Sequence, residues 1–534
     1  MKARTFFVLA ALAILLASPR ALAAAAELFL TSDNCMACHN GLSTPKGEDV
    51  SIGFDWRGTM MANAARDPYW QASVRREGRD HAGAAAAIEH ECSLCHMPMA
   101  HVQARAEGRL GEVFANLGRT APRARAASAQ DGVSCSVCHQ IEPDNLGKPE
   151  SFVGGFAIDT SGKSPRKATG PFEVKPALAR LMASATNFYP AIAPHIASSE
   201  LCATCHTLIT EALGPDGKTI GRLPEQVPYL EWRESAYRDG TSCSSCHMPE
   251  VREPAPIASL LGESRAGFAR HEFLGGNFIV PAMLKRLGPA MPALPRDLAR
   301  AASRARAYVA EEAAKVGIGE IQVKDGILEA QVTVENQAGH KLPTAYPSRR
   351  AWLHITVKDG AGGVVSESGA IGADGKIAGN DNDEDPLRFE PHHTTIEKPE
   401  DVQIYEAILG DNQGRVTTGL LHAVKYLKDN RIVPVGFDKK TVGPDVAVRG
   451  EALYDEDFTD GSDRILLRIP VGMGPAPFKV EAELLYQPIG YRWAENLRSV
   501  DGAEPRSFSR AFDSLAAVSG QRMARAERTS SEGK

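Results

Sequence analysis

The chain has 534 residues and a net charge of −6 at neutral pH. This length allows about two to four domains, and the slightly acidic charge argues against a nucleic-acid-binding protein, which would carry a basic excess. The hydrophobic fraction of 43% is typical of a globular chain and excludes a largely disordered one.

The first 23 residues are predicted to be a cleaved signal peptide. Lys2 and Arg4 precede an apolar run over residues 6–17, and Ala21-Leu22-Ala23 follows as a cleavage site. This order of charged, apolar and small residues is typical of a secretory signal. The run is shorter than the about 20 residues that a membrane-spanning helix needs, and no later run reaches that length. We therefore expect a periplasmic or extracellular protein without a transmembrane segment.

All ten cysteines fall in five C-x-x-C-H motifs, the attachment signature of c-type haem. Two thiols three positions apart reach the two vinyl groups on one porphyrin edge, and the following histidine ligates the iron. The predicted attachment residues are Cys35, Cys38, Cys92, Cys95, Cys135, Cys138, Cys202, Cys205, Cys243 and Cys246. The predicted proximal ligands are His39, His96, His139, His206 and His247.

Other uses of paired cysteines explain this pattern less well. Zinc sites do not need a histidine after every second cysteine, and a thioredoxin-like redox pair would occur once. Disulfide bonds would not impose a fixed spacing. The predicted cofactors are therefore five covalently bound haem c groups.

Residues 24–316 are predicted to form the haem-binding region. Short helical runs are broken by Pro and Gly, and strand alternation is scarce, so the porphyrins would supply much of the apolar core. EHECSLCHMP at 89–98 resembles SSELCATCH at 198–206, and DGVSCSVCHQ at 131–140 resembles DGTSCSSCHMP at 239–249. This repeat indicates a two-haem unit used twice, with the motif at Cys35 as the fifth. An Ala-rich helix over 295–317 closes the region.

Each haem iron needs a sixth ligand or keeps an open face. Fifteen histidines less the five in the motifs leave ten that could serve. Four of these lie near the motifs and are candidate distal ligands: His90, His101, His195 and His271.

From about residue 317 the hydrophobic period changes to that of β-strands. Asp325-Gly326 predicts a hairpin, and short alternating runs continue to residue 487. We predict an antiparallel β-sandwich over 317–490 and a C-terminal helix with a polar tail over 491–534. The fold class is therefore α+β. DNDEDP at 381–386 begins like a calcium loop, but Pro386 replaces the glycine of an EF-hand, so a solvated acidic loop is the preferred interpretation.

The motif array, WRGTMMANAARDPYW at 56–70 and SCSSCHMP at 242–249 resemble multihaem cytochromes of the cytochrome c554-like group. In that group a W-x-x-S-x-H-A segment often carries a distal histidine, and here Met61 occupies the histidine position. The resemblance therefore makes Met61 a candidate axial ligand. The alternative is that it packs on a porphyrin as a soft apolar side chain.

The segments GHKLPTAYPSRRAWLHITVKD and PHHTTIEKPEDVQIYE resemble a β domain attached to multihaem cytochromes of similar size. A loop of such a domain can cap a haem. The resemblance implies that His340, His392 or His393 is a distal ligand. Arg349 and Arg350 either contact haem propionates or form a surface pair.

Three functions stay open at this level. The first is an electron carrier that exchanges electrons with redox partner proteins of a respiratory chain. The second is a multihaem oxidoreductase in which one open-faced haem acts on a small nitrogen or sulfur compound. The third is a subunit of an extracellular haem filament or outer-surface conduit, which would be oligomeric. No motif departs from C-x-x-C-H, which favours the carrier.

Overall fold

The structure is a computed structural model that describes residues 27–118, 121–288 and 293–531. The predicted signal peptide, residues 1–23, lies outside the described residues. Most helices precede residue 313 and the long strands follow it, so the chain has the mixed α+β character that we predicted. No helix in the described ranges combines the length and apolar character needed to cross a membrane.

The first region consists mainly of short α-helices joined by turns. They are α1 Ser32–Met36, α2 Ile52–Trp56, α3 Pro68–Asp80, α4 Ala85–His96, α5 Pro98–Ala106, α6 Phe114–Leu117, α7 Arg123–Gln130, α8 Cys135–Cys138, α9 Pro176–Thr186, α10 Ser199–Ala203, α11 Pro228–Arg233, α12 Cys243–His247, α13 Ile279–Leu287 and α14 Pro295–Glu312. Proline stands near the start of α3, α5, α9, α11 and α14, where its missing N–H costs no helical hydrogen bond.

Eight strands of this region form four two-stranded sheets, of which only β1–β2 is parallel. The strands are β1 Arg166–Gly170, β2 Phe188–Ile192, β3 Leu208–Leu213, β4 Thr219–Gln226, β5 Glu250–Val251, β6 Ala255–Pro256, β7 Ser264–Arg265 and β8 Phe268–Ala269. Short 3₁₀ helices across the chain cover Ala64–Arg66, Ala82–Ala84, Pro149–Ser151, Pro194–Ala197, Ala236–Arg238, Leu420–His422, Glu451–Leu453 and Ala516–Val518.

The second region is built from longer strands. They are β9 Ala314–Ile318, β10 Gln322–Lys324, β11 Ile327–Asn336, β12 Arg350–Lys358, β13 Val364–Ser368, β14 Thr395–Ile396, β15 Ile404–Tyr405, β16 Ala407–Gly410, β17 Val416–Thr417, β18 Lys425–Asp429, β19 Ser462–Pro470, β20 Lys479–Gln487 and β21 Gln521–Thr529. Its α-helices are α15 Asp381–Glu384, α16 Tyr491–Arg498 and α17 Ala503–Asp513.

Two five-stranded sheets make up most of the second region. One has the order β10-β11-β19-β14, with β9 also paired to β11, and the other has the order β13-β12-β20-β21, with β15 also paired to β12. Alternate side chains of β11, β19, β12 and β20 are buried in one shared apolar cluster, as expected for two sheets with facing inner surfaces. β14 pairs with β19 in parallel, so the first sheet is mixed. The finer prediction of an antiparallel β-sandwich stays a prediction.

Two element predictions differ from the structure at the borders of the β region. The predicted helix over 295–317 ends at Glu312, because residues 314–318 pair with β11 as strand β9. Residues 521–529, predicted as part of a polar tail, form strand β21 along β20. Met523 is the only one of these nine side chains that is fully buried, so this edge strand lacks the apolar alternation that reveals a strand in sequence.

The two regions share one continuous apolar core. Tyr69 of α3, Phe278 before α13 and Leu298 of α14 belong to the same buried cluster as the inner faces of the β-sheets. Arg75 of α3 also forms an ion pair with Glu504 of α17, with a shortest N–O distance of 2.9 Å. The β region is therefore packed on the helical region, and its loops can reach the C-x-x-C-H motifs.

The shared core gives a direct test of the packing. Leu467 of β19 is fully buried, whereas its neighbour Leu466 is 38% exposed. Leu467→Ala should lower the free energy of unfolding by about 2–5 kcal/mol, because it leaves a cavity. Leu466→Ala is the matched control and should cost well under half as much. Urea unfolding followed by far-UV circular dichroism measures both, and equal losses would contradict the packing of β19.

Candidate functional site

The C-x-x-C-H motifs adopt helical turns. In three of them the histidine N–H donates to the carbonyl oxygen of the first cysteine, from His39 to Cys35 at 3.0 Å, with equivalent bonds of 3.1 Å and 3.0 Å in the motifs at 135–139 and 202–206. Residues three apart lie on the same side of a helical turn. Each motif therefore presents both thiols on one side, which is the arrangement that one porphyrin edge requires.

Four of the five motif histidines are anchored through Nδ1 to a distant backbone carbonyl. His39 contacts the oxygen of Ile257 at 2.6 Å, and His96 contacts that of Ala64 at 3.0 Å. A carbonyl oxygen can only accept a hydrogen bond, so Nδ1 carries the proton and Nε2 keeps its lone pair. Metal-ligating histidines use this same arrangement, in which the second nitrogen fixes the ring orientation.

The other two anchored histidines are His139, whose Nδ1 contacts the Thr169 carbonyl at 2.5 Å, and His247, which contacts the Leu274 carbonyl. His206 is the exception, because no hydrogen bond to its ring occurs among the described residues. These anchors join residues 27 to 218 positions apart, so they depend on the tertiary fold and not on the motif itself.

Two motif histidines face a second imidazole. The ring centroids of His139 and His271 lie 6.3 Å apart with planes inclined by 16°, and those of His247 and His340 lie 6.2 Å apart with planes inclined by 12°. An iron between two imidazoles, with metal–nitrogen bonds of about 2 Å, separates the centroids by about 6 Å. Both pairs therefore have the separation that a shared iron would need.

The two partner histidines carry the same anchor as the motif histidines. Nδ1 of His271 contacts the Ala269 carbonyl at 3.1 Å, and Nδ1 of His340 contacts the Lys341 carbonyl at 2.9 Å. Burial lowers the pKa of His271 to about 4 and also lowers the pKa of His340. The neutral, ligating form of each imidazole is thus favoured at neutral pH.

Thiols from different motifs lie next to one another. A hydrogen bond to Cys35 and burial raise the pKa of the Cys135 thiol well above its usual value. Cys95 with Cys205 and Cys202 with Cys243 form equivalent pairs. The ten cysteines are all free and none is fully buried. The attachment edges of the first and third, second and fourth, and fourth and fifth motifs are therefore adjacent.

These observations fit c-type haem. Free thiols lie in pairs on helical turns. The anchored motif histidines bond through Nδ1, so their Nε2 lone pairs remain free. Two imidazole pairs have the separation of axial ligands. The residues that would hold haem are thus present and correctly protonated.

His90 and His101 stack on each other instead of facing a motif histidine, with centroids 4.5 Å apart. Ser93 donates its hydroxyl proton to the His90 carbonyl and therefore accepts one from Nδ1 of His101, whose Nε2 keeps its lone pair. Nδ1 of His90 instead accepts from the Gly111 N–H at 2.9 Å, which places its proton on Nε2. Of the two candidates, only His101 has the ligating tautomer.

His195 and Met61 have no contact with a motif histidine among the described residues. Nε2 of His195 donates to the Ile141 carbonyl at 2.8 Å, so only its Nδ1 lone pair is free. The carbonyl of Met61 accepts from Val133, two positions before Cys135, which places this residue near the third motif.

The hydrogen bonds of His392 count against its selection as a distal ligand. Its Nδ1 accepts from the side-chain amides of Gln403 at 2.9 Å and Asn430 at 3.1 Å, whose orientations are fixed by their own backbone partners. Its Nε2 therefore carries the proton and donates to Asp455 at 3.0 Å. No lone pair is left for an iron.

The same tautomer weakens a second metal interpretation. Ligand atoms of His392, Asp455 and Asp463 lie within 4.8 Å of one another, but a protonated Nε2 repels a cation placed between them. His393 is also occupied, with Nε2 2.9 Å from a Glu390 carboxylate oxygen. Neither histidine contacts a motif histidine among the described residues.

Two charged segments differ from their predicted surroundings. Asp383 of DNDEDP is buried and pairs with Arg350 at 2.7 Å, so this segment is not a solvated loop. The apolar surroundings and the distant partner could not be read from the local acidic composition. Arg349, in contrast, has no carboxylate partner among the described residues, and its charge lowers the pKa of His206 as a contribution additional to burial.

His81 is a buried histidine that the sequence did not distinguish from the others. Its Nε2 has no hydrogen-bond partner among the described residues, and its ring lies 4.5 Å from that of His422. It stands at the end of α3, 11 positions before Cys92, and the sequence analysis did not select it as a candidate ligand.

Comparisons with known proteins show the fold. No protein-family model and no curated protein sequence matches the chain. The crystal structure of a penta-heme cytochrome c552 from Thermochromatium tepidum is similar over 94% of this chain and 98% of that chain, with a TM-score of 0.52 and 17% identity. The similarity covers both regions of the chain, so helical region and β region occur together in a solved structure.

The hydrogen bonds of His392 predict a structural role. His392→Ala should lower the free energy of unfolding by about 1–3 kcal/mol, because the two amide groups and Asp455 each lose one hydrogen bond, and should leave the visible absorption spectrum unchanged. Chemical unfolding and the ferric spectrum measure the two effects. His393→Ala, which removes one contact from a less buried ring, is the control with a smaller loss. A new high-spin band in His392→Ala would show that this histidine ligates an iron after all.

Proposed function

We propose that the chain is an exported pentahaem c-type cytochrome that transfers electrons in a respiratory chain. The observation that carries this proposal is the pair of opposed imidazoles, His139 with His271 and His247 with His340, whose separations of 6.3 and 6.2 Å match axial ligation. The likeness to a solved penta-heme cytochrome supports the same reading.

The cysteines and histidines of the chain have separate proposed roles. The ten cysteines attach five haems, and the five motif histidines ligate from the proximal side. His271 and His340 are the proposed distal ligands of the third and fifth haems. Bound haem supplies one-electron iron chemistry, and closing both axial positions leaves these two irons no site for a substrate. This is what a carrier needs.

The adjacent thiols support a relay of all five haems. The paired thiols connect the first motif to the third, the second to the fourth and the fourth to the fifth. Burial raises the pKa of the Cys138 thiol, and the charge of Cys205 adds to this shift, so the third motif also lies near the fourth. Every motif thus has another motif beside it, as a relay among five haems would need.

A second candidate function is a multihaem oxidoreductase with one open-faced haem. His206 is the observation that favours it, since no second imidazole opposes its ring among the described residues. Arg349 carries an unpaired positive charge near this ring and could attract a small anion or a haem propionate. The carrier is preferred because two of the five motif histidines face a second imidazole at a separation that fits axial ligation.

Export and redox partners belong to the same proposal. Haem is attached to C-x-x-C-H motifs outside the cytoplasm, which agrees with the predicted signal peptide over residues 1–23. The partners would be proteins that donate and accept single electrons.

The haem count is tested by intact mass spectrometry. The purified exported protein should have the mass of residues 24–534 plus five haem groups, retained after acid–acetone extraction, because thioether bonds hold them. A Cys135→Ser/Cys138→Ser variant should lose one haem. A mass that matches the bare polypeptide, or a zinc content of one per motif, would contradict the proposal.

The ligand assignment is tested by electron paramagnetic resonance of the ferric protein. His340→Ala and His271→Ala should each convert one low-spin haem to high spin, because each removes one imidazole. His195→Ala is the matched control and should leave both of these haems low-spin. The same spectrum of the unaltered protein separates the two functions, since high-spin haem before any substitution would favour the enzyme.

A further inference from the structure

We propose that Glu231 is a positioning residue that holds His340 over the haem of His247, through a closed ring of buried charges between the two regions. The inference rests on the proposed ligation of that haem by His340. It assigns a role to four buried charged residues, none of which is a candidate haem ligand.

The ring begins at the residue next to His340. Lys341 is 0% exposed, and its Nζ donates to Asp429 at 2.7 Å. Asp429 also accepts two hydrogen bonds of 2.8 Å from the guanidinium of Arg431. The third nitrogen of Arg431 lies 2.9 Å from a carboxylate oxygen of Glu231.

Glu231 closes the ring on the backbone that carries the ligand. Its second oxygen accepts from the backbone N–H of Lys341 at 3.1 Å and from the hydroxyl of Thr344. The carbonyl of Lys341 is the group that anchors Nδ1 of His340. Glu231 therefore holds the chain on both sides of the Lys341 carbonyl, through the N–H of Lys341 before it and the hydroxyl of Thr344 after it.

The ring is electrically balanced, which makes each member necessary. Lys341 and Arg431 carry two positive charges, and Asp429 and Glu231 carry two negative ones. Burial by itself would raise the pKa of Asp429, but Arg431 and Lys341 together hold it well below its usual value. Removing one member of a buried network leaves an uncompensated charge, whereas the complete network fixes a geometry more than it adds stability.

Glu231 is also the member that belongs to the haem region. It lies on α11, between the fourth and fifth motifs. The next residue, Trp232, donates to the Thr241 carbonyl at 3.0 Å, two positions before Cys243. Any side chain at Gly339 would meet Trp232 and Tyr237 at 3.3 Å, so the loop before His340 lies directly on this segment. The loop that carries His340 therefore packs on the segment that precedes Cys243, where the haem that His340 would ligate is attached.

The experiment compares Glu231→Gln with Glu406→Gln in the full haem-loaded protein. Glu406 is a matched control, because it is a buried partner of a fully buried lysine, Lys428, at 3.1 Å and makes no described contact with residues 336–350. Glu231→Gln places an amide N–H₂ against the donors of Lys341 or Arg431. Thermal unfolding of both variants measures the loss of stability that a purely structural role predicts.

The expected result is a high-spin ferric signal of about one haem in five for Glu231→Gln, with carbon monoxide binding after reduction, and no such signal for Glu406→Gln. Added imidazole should restore the low-spin spectrum, because it can occupy the vacated iron position, and far-UV circular dichroism of the variant excludes a misfolded chain. Equal spectra for the two variants would overturn the positioning role.

His340→Ala separates the two proposals. If it produces the high-spin signal while Glu231→Gln does not, the ligation stands and the positioning role fails. If His340→Ala leaves every haem low-spin, the ligation itself fails. Should Glu231→Gln not yield protein with five haems, Thr344→Val removes only the hydroxyl donor to Glu231. Faster carbon monoxide binding by that variant would support the role, and an unchanged rate would overturn it.

Discussion

The anchoring of Nδ1 by backbone carbonyls is the interaction on which the proposed chemistry depends. An imidazole has two nitrogens, and a neutral ring offers a lone pair on only one of them. Four motif histidines each donate a hydrogen bond from Nδ1 to the carbonyl of a residue distant in sequence, namely His39, His96, His139 and His247. The fold thereby chooses the tautomer, the ring orientation and the direction in which Nε2 points. His392 differs from these rings, because its Nδ1 accepts hydrogen bonds from two amide donors.

The second requirement is that a β region and a helical region keep a fixed position relative to each other. His340 belongs to the loop between β11 and β12, whereas His247 ends α12. A distal ligand on a separate region is useful only if the interface holds it to within a few tenths of an ångström, since axial bonds are short. The shared apolar core supplies the contact area, and the balanced ring of Lys341, Asp429, Arg431 and Glu231 supplies direction. Apolar packing alone has no directional preference, which explains why buried charges occur at this position.

The fold and the site were accessible from sequence to different degrees. Strands such as β11 and β19 alternate buried and exposed residues, and the α+β character follows from them. Strand β21 was not predicted because only one of its nine side chains is fully buried and its hydrogen-bonded partner is the distant strand β20. Asp383 was misjudged as solvated because its partner Arg350 lies 33 positions away. Both cases share one cause, which is that the decisive neighbour is distant in the chain.

The sequence by itself determined the chemistry of attachment, because C-x-x-C-H places two thiols and an imidazole within one helical turn and needs no other residue to do so. It also determined that histidines outside the motifs must be considered as ligands, since there are ten of them and only five motifs. Only the tertiary structure decided which of them face a motif histidine. Side-chain spacing along the chain says nothing about a partner across an interface, and His340 lies 93 positions after His247. The structure brings these two rings to 6.2 Å and places the proton of His90, His195 and His392 on Nε2, so that only His195 of these three keeps a free lone pair, on Nδ1.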